Sequence, residues 1–231
     1  MKKHIPNILT SINLIAGWLA ICAAFNELYW WSFSLILFAA IFDFLDGFVA
    51  RKLNVQSVIG EQLDSFADFI SFGIAPSMIV FNLSEITIFN EFSFPKLCIL
   101  LAICLLPVLT SIRLAKFNIS KDQNVNFIGL PSPAFALMII SISTLKEINY
   151  INTYTYISIA VFIGLLMVSN IKFIALKFKN FSFKDNTLRY IFILSSIICF
   201  VMLIFFAQYL LIVPIILLLY LLFSIVINFN S

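Results

Sequence analysis

Apolar residues run through this chain in blocks too long for a strand and too unbroken to be one face of a soluble helix. Cut at proline, glycine and charged clusters, they predict eight helices, over residues 8–26, 30–50, 60–81, 95–116, 131–148, 151–171, 189–206 and 209–228. Each approaches the roughly 20 apolar residues that cross a bilayer as a helix. Pro95 opens the fourth segment, and Gly129-Leu130-Pro131 precedes the fifth. The expected fold is an all-α, polytopic transmembrane bundle of eight spans, forming one integral-membrane domain over residues 1–231. No soluble domain, linker, low-complexity tail or internal repeat is evident.

Composition agrees. Hydrophobic residues make up 62% of the chain and charged residues 11%, against about 45–50% and about 25% in soluble domains. A water-soluble fold of 231 residues lacks the interior to bury that much apolar surface. The start, Met1-Lys2-Lys3-His4, resembles a signal peptide. The apolar run from Leu9 to Phe25 exceeds the usual apolar core of such peptides, about 7–15 residues, so a retained first helix is expected. Cys22, Cys98, Cys104 and Cys199 lie scattered in apolar runs with no CxxC pair. They read as small buried hydrophobes rather than a zinc site or a disulfide framework. His4, the only histidine, reads as a surface residue.

The net charge of +3 is small, but its distribution is informative. With the N-terminus in the cytoplasm, cytoplasmic segments hold Lys2, Lys3, Arg51, Lys52, Arg113, Lys116, Lys121, Lys172, Lys177, Lys179, Lys184 and Arg189, and the outer side holds only Lys96 and Lys146. Cytoplasmic loops of membrane proteins carry such an excess, so both termini are expected inside. Tyr29, Trp30 and Trp31, and Tyr150, Tyr154 and Tyr156, fall at the outer ends of spans and suit an aromatic belt. The basic stretch from Lys172 to Arg189 suits a loop facing anionic headgroups. No nucleic-acid partner is expected.

Asp43, Asp46, Asp64 and Asp68 interrupt otherwise apolar spans. An ionisable group at membrane depth is costly and by default marks a functional site. Helix caps or ion pairs with Arg51 and Lys52 would account for one such residue more easily than for four in one hairpin. Asp43 and Asp46 are three apart, and Asp64 and Asp68 four apart, so each pair shares a helix face. The turn between the two spans centres near Val55, nine residues from both Asp46 and Asp64. At about 1.5 Å per residue, the two helices carry their carboxylates to matching depths in the cytoplasmic half of the bilayer. Four packed carboxylates would repel, and two divalent cations would neutralise them. All-oxygen ligands suit Mg²⁺ or Mn²⁺, and metal pairs serve displacement at phosphorus.

On the second span, Asp43, Asp46, Gly47 and Ala50 lie within a sector of about 100°; on the third, Gly60 is four residues from Asp64. These small residues either leave room for a bulky ligand or let helices pack closely. Arg51 at the mouth could meet a phosphate.

The run Asp43-x2-Asp46-Gly47-x2-Ala50-Arg51-x8-Gly60-x3-Asp64-x3-Asp68 resembles the signature of the CDP-alcohol phosphotransferase family at every defined position. Four further stretches are similar to the phosphatidylserine synthase branch of that family. They are Ile5 to Asn13, Ser71 to Pro76, Arg113 to Asn118 and Phe127 to Pro133. The resemblance implies that Asp43, Asp46, Asp64 and Asp68 hold two divalent metals in the active-site hairpin 30–81. It implies that Asp46, Gly47, Ala50, Arg51 and Gly60 cradle the CDP group, that Asp68 is the general base, and that the chain forms a homodimer. The donor would be CDP-diacylglycerol and the acceptor L-serine, with the site facing the cytoplasm of a bacterial membrane. For the acceptor, Arg113 could pair with the serine carboxylate or could be an interfacial anchor, and Asn13 could meet the ammonium. Glycerol 3-phosphate or inositol as acceptor is the nearest rival. A cation-coupled transporter is a rival of another class. It fits poorly, because the acids cluster in one hairpin with no counterpart in the second half.

The charge distribution makes the topology testable. Cysteines introduced at Val55 and Asn180 should be labelled from the cytoplasmic side and one at Glu91 from outside. Labelling of Val55 from outside would refute the orientation and the cytoplasmic site together.

Overall fold

The computed structural model describes residues 4–55, 57–86, 93–119, 127–173, 187–205 and 212–229. A helix falls within each of the eight predicted segments among the described residues. They are α1 (Ile5–Phe25), α2 (Tyr29–Leu53), α3 (Val58–Asp68) continued by a π-helical turn (Phe69–Ile74) into α4 (Ala75–Leu83), α5 (Phe94–Ile119), α6 (Ser132–Glu147), α7 (Thr153–Val168), α8 (Thr187–Phe205) and α9 (Ile212–Phe229). Four of these rods, Ile5–Phe25, Tyr29–Leu53, Val58–Leu83 and Phe94–Ile119, are long and apolar enough to cross a membrane. The protein is therefore an all-helical integral membrane protein. Among the described residues the exception is a two-residue antiparallel ladder, β1 (Phe127–Ile128) with β2 (Lys172–Phe173).

Local chemistry sets the hairpin between α2 and α3. Asn54 adopts φ 52° and closes α2, its N–H returning to the Ala50 and Arg51 carbonyls. Asparagine tolerates this left-handed conformation better than most residues. Ser57 then opens α3, its Oγ accepting the Gly60 N–H at 3.1 Å. Such a cap satisfies one of the first-turn donors. The rod that follows is not the uniform helix expected over residues 60–81. Pro76 has no N–H to give the carbonyl four residues back, and the chain widens into the π turn immediately after Asp68. Such turns recur at functional sites.

α1 is the packing centre of the N-terminal half. Its Ala16, Ala20, Ala23 and Ala24 are buried, as are Ile36 and Ala39 of α2 and Ile79 and Val80 of α4. Small side chains let helix backbones approach where lipid offers no hydrophobic drive for association. Ser32 Oγ donates to Ala20 O at 2.8 Å, and Asn82 Nδ2 donates to Ala24 O. α1 comes very close to the third rod at Gly17, where an added Cβ would lie 2.2 Å from Ser71 Oγ and 2.8 Å from Ser71 Cα.

The connection into α6 is held by backbone geometry. Gly129 has φ 79°, and a Cβ there would fall 2.2 Å from the Met167 carbonyl oxygen. The Gly129 N–H donates to Ile171 O at 2.9 Å and the Leu130 N–H to Leu166 O at 3.0 Å. The segment therefore lies against the end of α7, which stops at Val168 rather than running to 171 as expected.

Two expectations need correction. Trp30, Trp31, Tyr150 and Tyr154 are exposed, as a belt requires, but Tyr156 is fully buried and hydrogen-bonded to Ser143 at 2.7 Å. The cysteines are unpaired, but Cys22, Cys98 and Cys104 lie on the outside of the bundle rather than in its core. His4 is exposed, as expected. Lys2, Lys3, Lys121, Lys177, Lys179, Lys184, Glu91 and Asn180 lie outside the described residues.

Gly17 and Gly164 differ in what a methyl group would meet. At Gly164 the nearest atoms, at 3.1 Å, are the flexible ends of Leu106 and Leu109; at Gly17 they are Ser71 Oγ at 2.2 Å and, behind it, Ser71 Cα and Cβ at 2.8 and 2.9 Å. Overpacking costs about 1–3 kcal/mol. Gly17→Ala should therefore lower the Tm in detergent by about 5 °C, and Gly164→Ala by clearly less. Equal shifts would show that the α1 contact is not tight.

Candidate active site

The α2–α3 hairpin brings Asp43, Asp64 and Asp68 together, with one carboxylate oxygen from each within 4.8 Å of the others. Asp64 Oδ1 is buried and has no hydrogen-bond partner among the described residues. A buried charged oxygen without a partner is rare, because it loses water and gains nothing in return. A cation would supply what the protein does not, and the all-carboxylate donor set suits Mg²⁺ or Mn²⁺. The residues present fit such an ion.

Asp46 is placed differently. It is buried and turned toward α1, where Thr10 Oγ1 donates to its Oδ2 at 2.6 Å. The three-residue offset from Asp43 rotates it about 60° around α2, away from the carboxylate group. It remains close enough to Asp43 and Asp64 for its charge to act on both. Asn13, also on α1 and fully buried, donates from Nδ2 to Asp68 Oδ1 at 3.3 Å. Its backbone carbonyl accepts the Ser71 hydroxyl at 3.0 Å.

Arg113 of α5 is buried, not spread at a membrane surface. Its Nη1 donates to Ser132 Oγ at 3.0 Å, and its guanidinium lies 5.0 Å from the centre of the Phe117 ring. Asp43 and Asp68 are both near enough to attract its charge. Arg113 also borders a cavity of about 250 Å³, shared with Lys116, Phe117, Ile128, Ser169 and Asn170. Phe127 to Pro133, singled out in the sequence, thus supplies both Ser132 and one wall of the cavity.

The small residues divide. The nearest atoms to a Cβ on Gly47 all belong to the Arg51 guanidinium, the closest at 3.3 Å. Gly47 therefore leaves room for Arg51, which is exposed, to lie back along α2. A Cβ on Gly60 would meet Ser57 Oγ at 3.1 Å and Asn7 Oδ1 at 3.2 Å. Here the close approach of α1 and the helix cap favour a small residue. Ala50 is half-buried.

Sequence reading missed Thr10, Ser71 and Ser132. Each is a hydroxyl in an apolar setting, where Ser and Thr are common and usually bond their own helix. Only their position inside the stretches Ile5 to Asn13, Ser71 to Pro76 and Phe127 to Pro133 marked them.

The chain is similar to proteins named for phospholipid synthesis reactions. It is 39% identical over 170 residues, 73% of each chain, to a CDP-diacylglycerol–serine O-phosphatidyltransferase of Methanocaldococcus jannaschii. It is 37% identical over 178 residues to the enzyme of that name from Bacillus subtilis, covering 74% of this chain and 90% of the relative. An archaetidylserine synthase of Methanothermobacter thermautotrophicus is 29% identical over 171 residues, 73% of this chain and 69% of the relative. The family model for CDP-alcohol phosphatidyltransferases matches residues 3–168, ending at the last residue of α7. With the aspartate hairpin inside that match, the chain belongs to the CDP-alcohol phosphatidyltransferase family.

Proposed function

We propose that this protein is a CDP-diacylglycerol–serine O-phosphatidyltransferase of phospholipid biosynthesis, moving the phosphatidyl group of CDP-diacylglycerol to the hydroxyl of L-serine and releasing CMP. The observation that carries the reading is the convergence of Asp43, Asp64 and Asp68 on one hairpin in a chain whose relatives are named for this reaction.

In this reading Asp43, Asp46, Asp64 and Asp68 hold two divalent cations, Mg²⁺ or Mn²⁺. When bound, these ions offset the carboxylate charge and stabilise charge developing at phosphorus. Asp68 takes the proton of the serine hydroxyl. That oxygen forms a bond to the lipid-side phosphorus, the bond from that phosphorus to the bridging oxygen breaks, and CMP departs with the electron pair. A carboxylate is a weak base toward an alcohol, so holding the hydroxyl in line matters more than basicity. Gly47, Ala50, Arg51 and Gly60 line the CDP side, with the Arg51 guanidinium free to meet a phosphate. Arg113 receives the serine carboxylate from the neighbouring cavity, and Asn13 stands beside Asp68.

The whole chain acts as one membrane-embedded catalytic domain of eight spans with both termini in the cytoplasm, as a homodimer in a bacterial cytoplasmic membrane. The positive-inside distribution and the length of the N-terminal rods support this placement. A donor dissolved in the bilayer suits a site on membrane helices a few turns from a polar hairpin loop.

The test is CMP release from CDP-diacylglycerol by the purified protein in liposomes, with L-serine, glycerol 3-phosphate and inositol compared in one preparation. Serine should be fastest by a wide margin; faster release with glycerol 3-phosphate would overturn the acceptor assignment. Arg113→Ala should raise the serine KM, or lower turnover, by one to two orders of magnitude, as expected for a charge-assisted contact of about 1.5–3 kcal/mol. An unchanged serine KM and turnover would remove Arg113 from the acceptor site. Chelation should abolish turnover and Mg²⁺ or Mn²⁺ restore it. Asp43→Asn and Asp64→Asn should each lose most activity. Asp68→Asn should lose turnover while keeping more affinity for the CDP-lipid, and near-normal turnover would refute its role as base.

A further inference from the structure

Thr10 and Asn13 lie three residues apart on α1, so they share a face, and that face meets both arms of the aspartate hairpin. Thr10 is 3% exposed and Asn13 is fully buried. Thr10 Oγ1 reaches Asp46 Oδ2 on α2 at 2.6 Å, and Asn13 Nδ2 reaches Asp68 Oδ1 on α3 at 3.3 Å. The Thr10 hydroxyl also lies 3.0 Å from Pro6 O. A hydroxyl has one proton to give, and a carboxylate at the shorter distance is the stronger acceptor. One helix therefore supplies a donor to a carboxylate on each of its two neighbours.

α1 is in turn fixed where this matters. The Asn13 backbone carbonyl accepts the Ser71 hydroxyl at 3.0 Å, and Ser71 sits in the π turn that follows Asp68. One turn along α1, Gly17 packs against the Ser71 backbone with no space for a methyl group. Rotation or sliding of α1 would break these contacts together. The Asn13 amide is thus held in register with Asp68 by its own backbone.

We infer that Thr10 and Asn13 are a pair of positioning residues that orient the Asp46 and Asp68 carboxylates for divalent cations, so that α1 sets cation affinity together with the α2–α3 hairpin. The inference rests on the proposed cation site and adds to it a function for a helix that contributes no carboxylate. Groups that hydrogen-bond metal ligands fix their orientation, and their loss typically costs about 10–100-fold in metal affinity or activity. A Thr10 hydroxyl or Asn13 amide that served only to satisfy a buried polar group would leave cation affinity unmoved. An Asn13 that served only the acceptor would change the serine KM and not cation affinity.

The test is a Mn²⁺ titration of the full-length protein in detergent, with free Mn²⁺ read by electron paramagnetic resonance and folding followed by Tm and monodispersity. Thr10→Val and Asn13→Leu keep side-chain volume and remove the donor. Each should raise the Mn²⁺ Kd by about tenfold or more. Thr10→Ser, which restores the hydroxyl, should stay within about threefold of the wild type. So should Ser11→Ala, because Ser11 is exposed on the same helix and bonds only Asn7 O at 2.8 Å among the described residues. Asn13→Ala, which only removes atoms, takes the place of Asn13→Leu if the latter is not monodisperse. Wild-type Mn²⁺ affinity in Thr10→Val and the Asn13 variant would overturn the inference while leaving the cation site intact. A wild-type protein that binds no Mn²⁺ would overturn the cation reading and this inference with it.

Discussion

Three carboxylates with oxygens within 4.8 Å of one another among apolar helices make a costly arrangement. Like charges repel more strongly as water is excluded, and a buried charge without a partner loses several kcal/mol of hydration, to order of magnitude. The N-terminal half of the protein answers this cost in several ways. Asn54 closes α2 and Ser57 caps α3, and the two helices bring Asp43, Asp64 and Asp68 together. Thr10 and Asn13 donate hydrogen bonds to Asp46 and Asp68. Arg113 brings an opposite charge from α5. What is left over, including the orphaned Asp64 oxygen, is a demand for positive charge that divalent cations would meet.

The remaining elements hold this centre in place. Gly17 against Ser71 locks α1 to the rod that carries Asp64 and Asp68, and the π turn lets that rod continue past Pro76. On the other side, the positive φ of Gly129 folds the entry to α6 onto the end of α7. Ser132 then reaches Arg113. The match to the family model ends at residue 168, the last residue of α7. The ladder that follows, Lys172–Phe173 on Phe127–Ile128, ties the chain beyond the match back to the wall of the cavity beside Arg113.

Much of this was legible in the sequence because the bilayer simplifies the code. Apolar blocks of span length and the placement of basic residues predict the rods, and acids in such blocks are conspicuous by their cost. Spacing alone puts all four aspartates on facing arms of one hairpin. It does not reveal that Asp46 turns to Thr10, since that depends on how α1 crosses α2. A hydroxyl in an apolar helix gives no signal of whether it bonds its own backbone or a distant carboxylate. The β1–β2 ladder is too short to leave a periodic trace, and the π turn shows only as Gly73 and Pro76. Tyr156 has the composition of a belt residue and the position of a core one. Its partner, Ser143, comes from a different helix. The outward-facing cysteines reflect the same difficulty, because in lipid an apolar residue carries no preference for inside over outside.

The central claim is that the α2–α3 hairpin is a divalent-cation site, and anomalous scattering locates cations without reference to activity. Crystals of the protein grown with Mn²⁺ and measured at the manganese absorption edge should show anomalous density between the carboxylates of Asp43, Asp64 and Asp68, with Asp46 at its margin, and Asp64 Oδ1 should be among the coordinating atoms. Density elsewhere, or none at these carboxylates while Mn²⁺ supports turnover, would contradict the account.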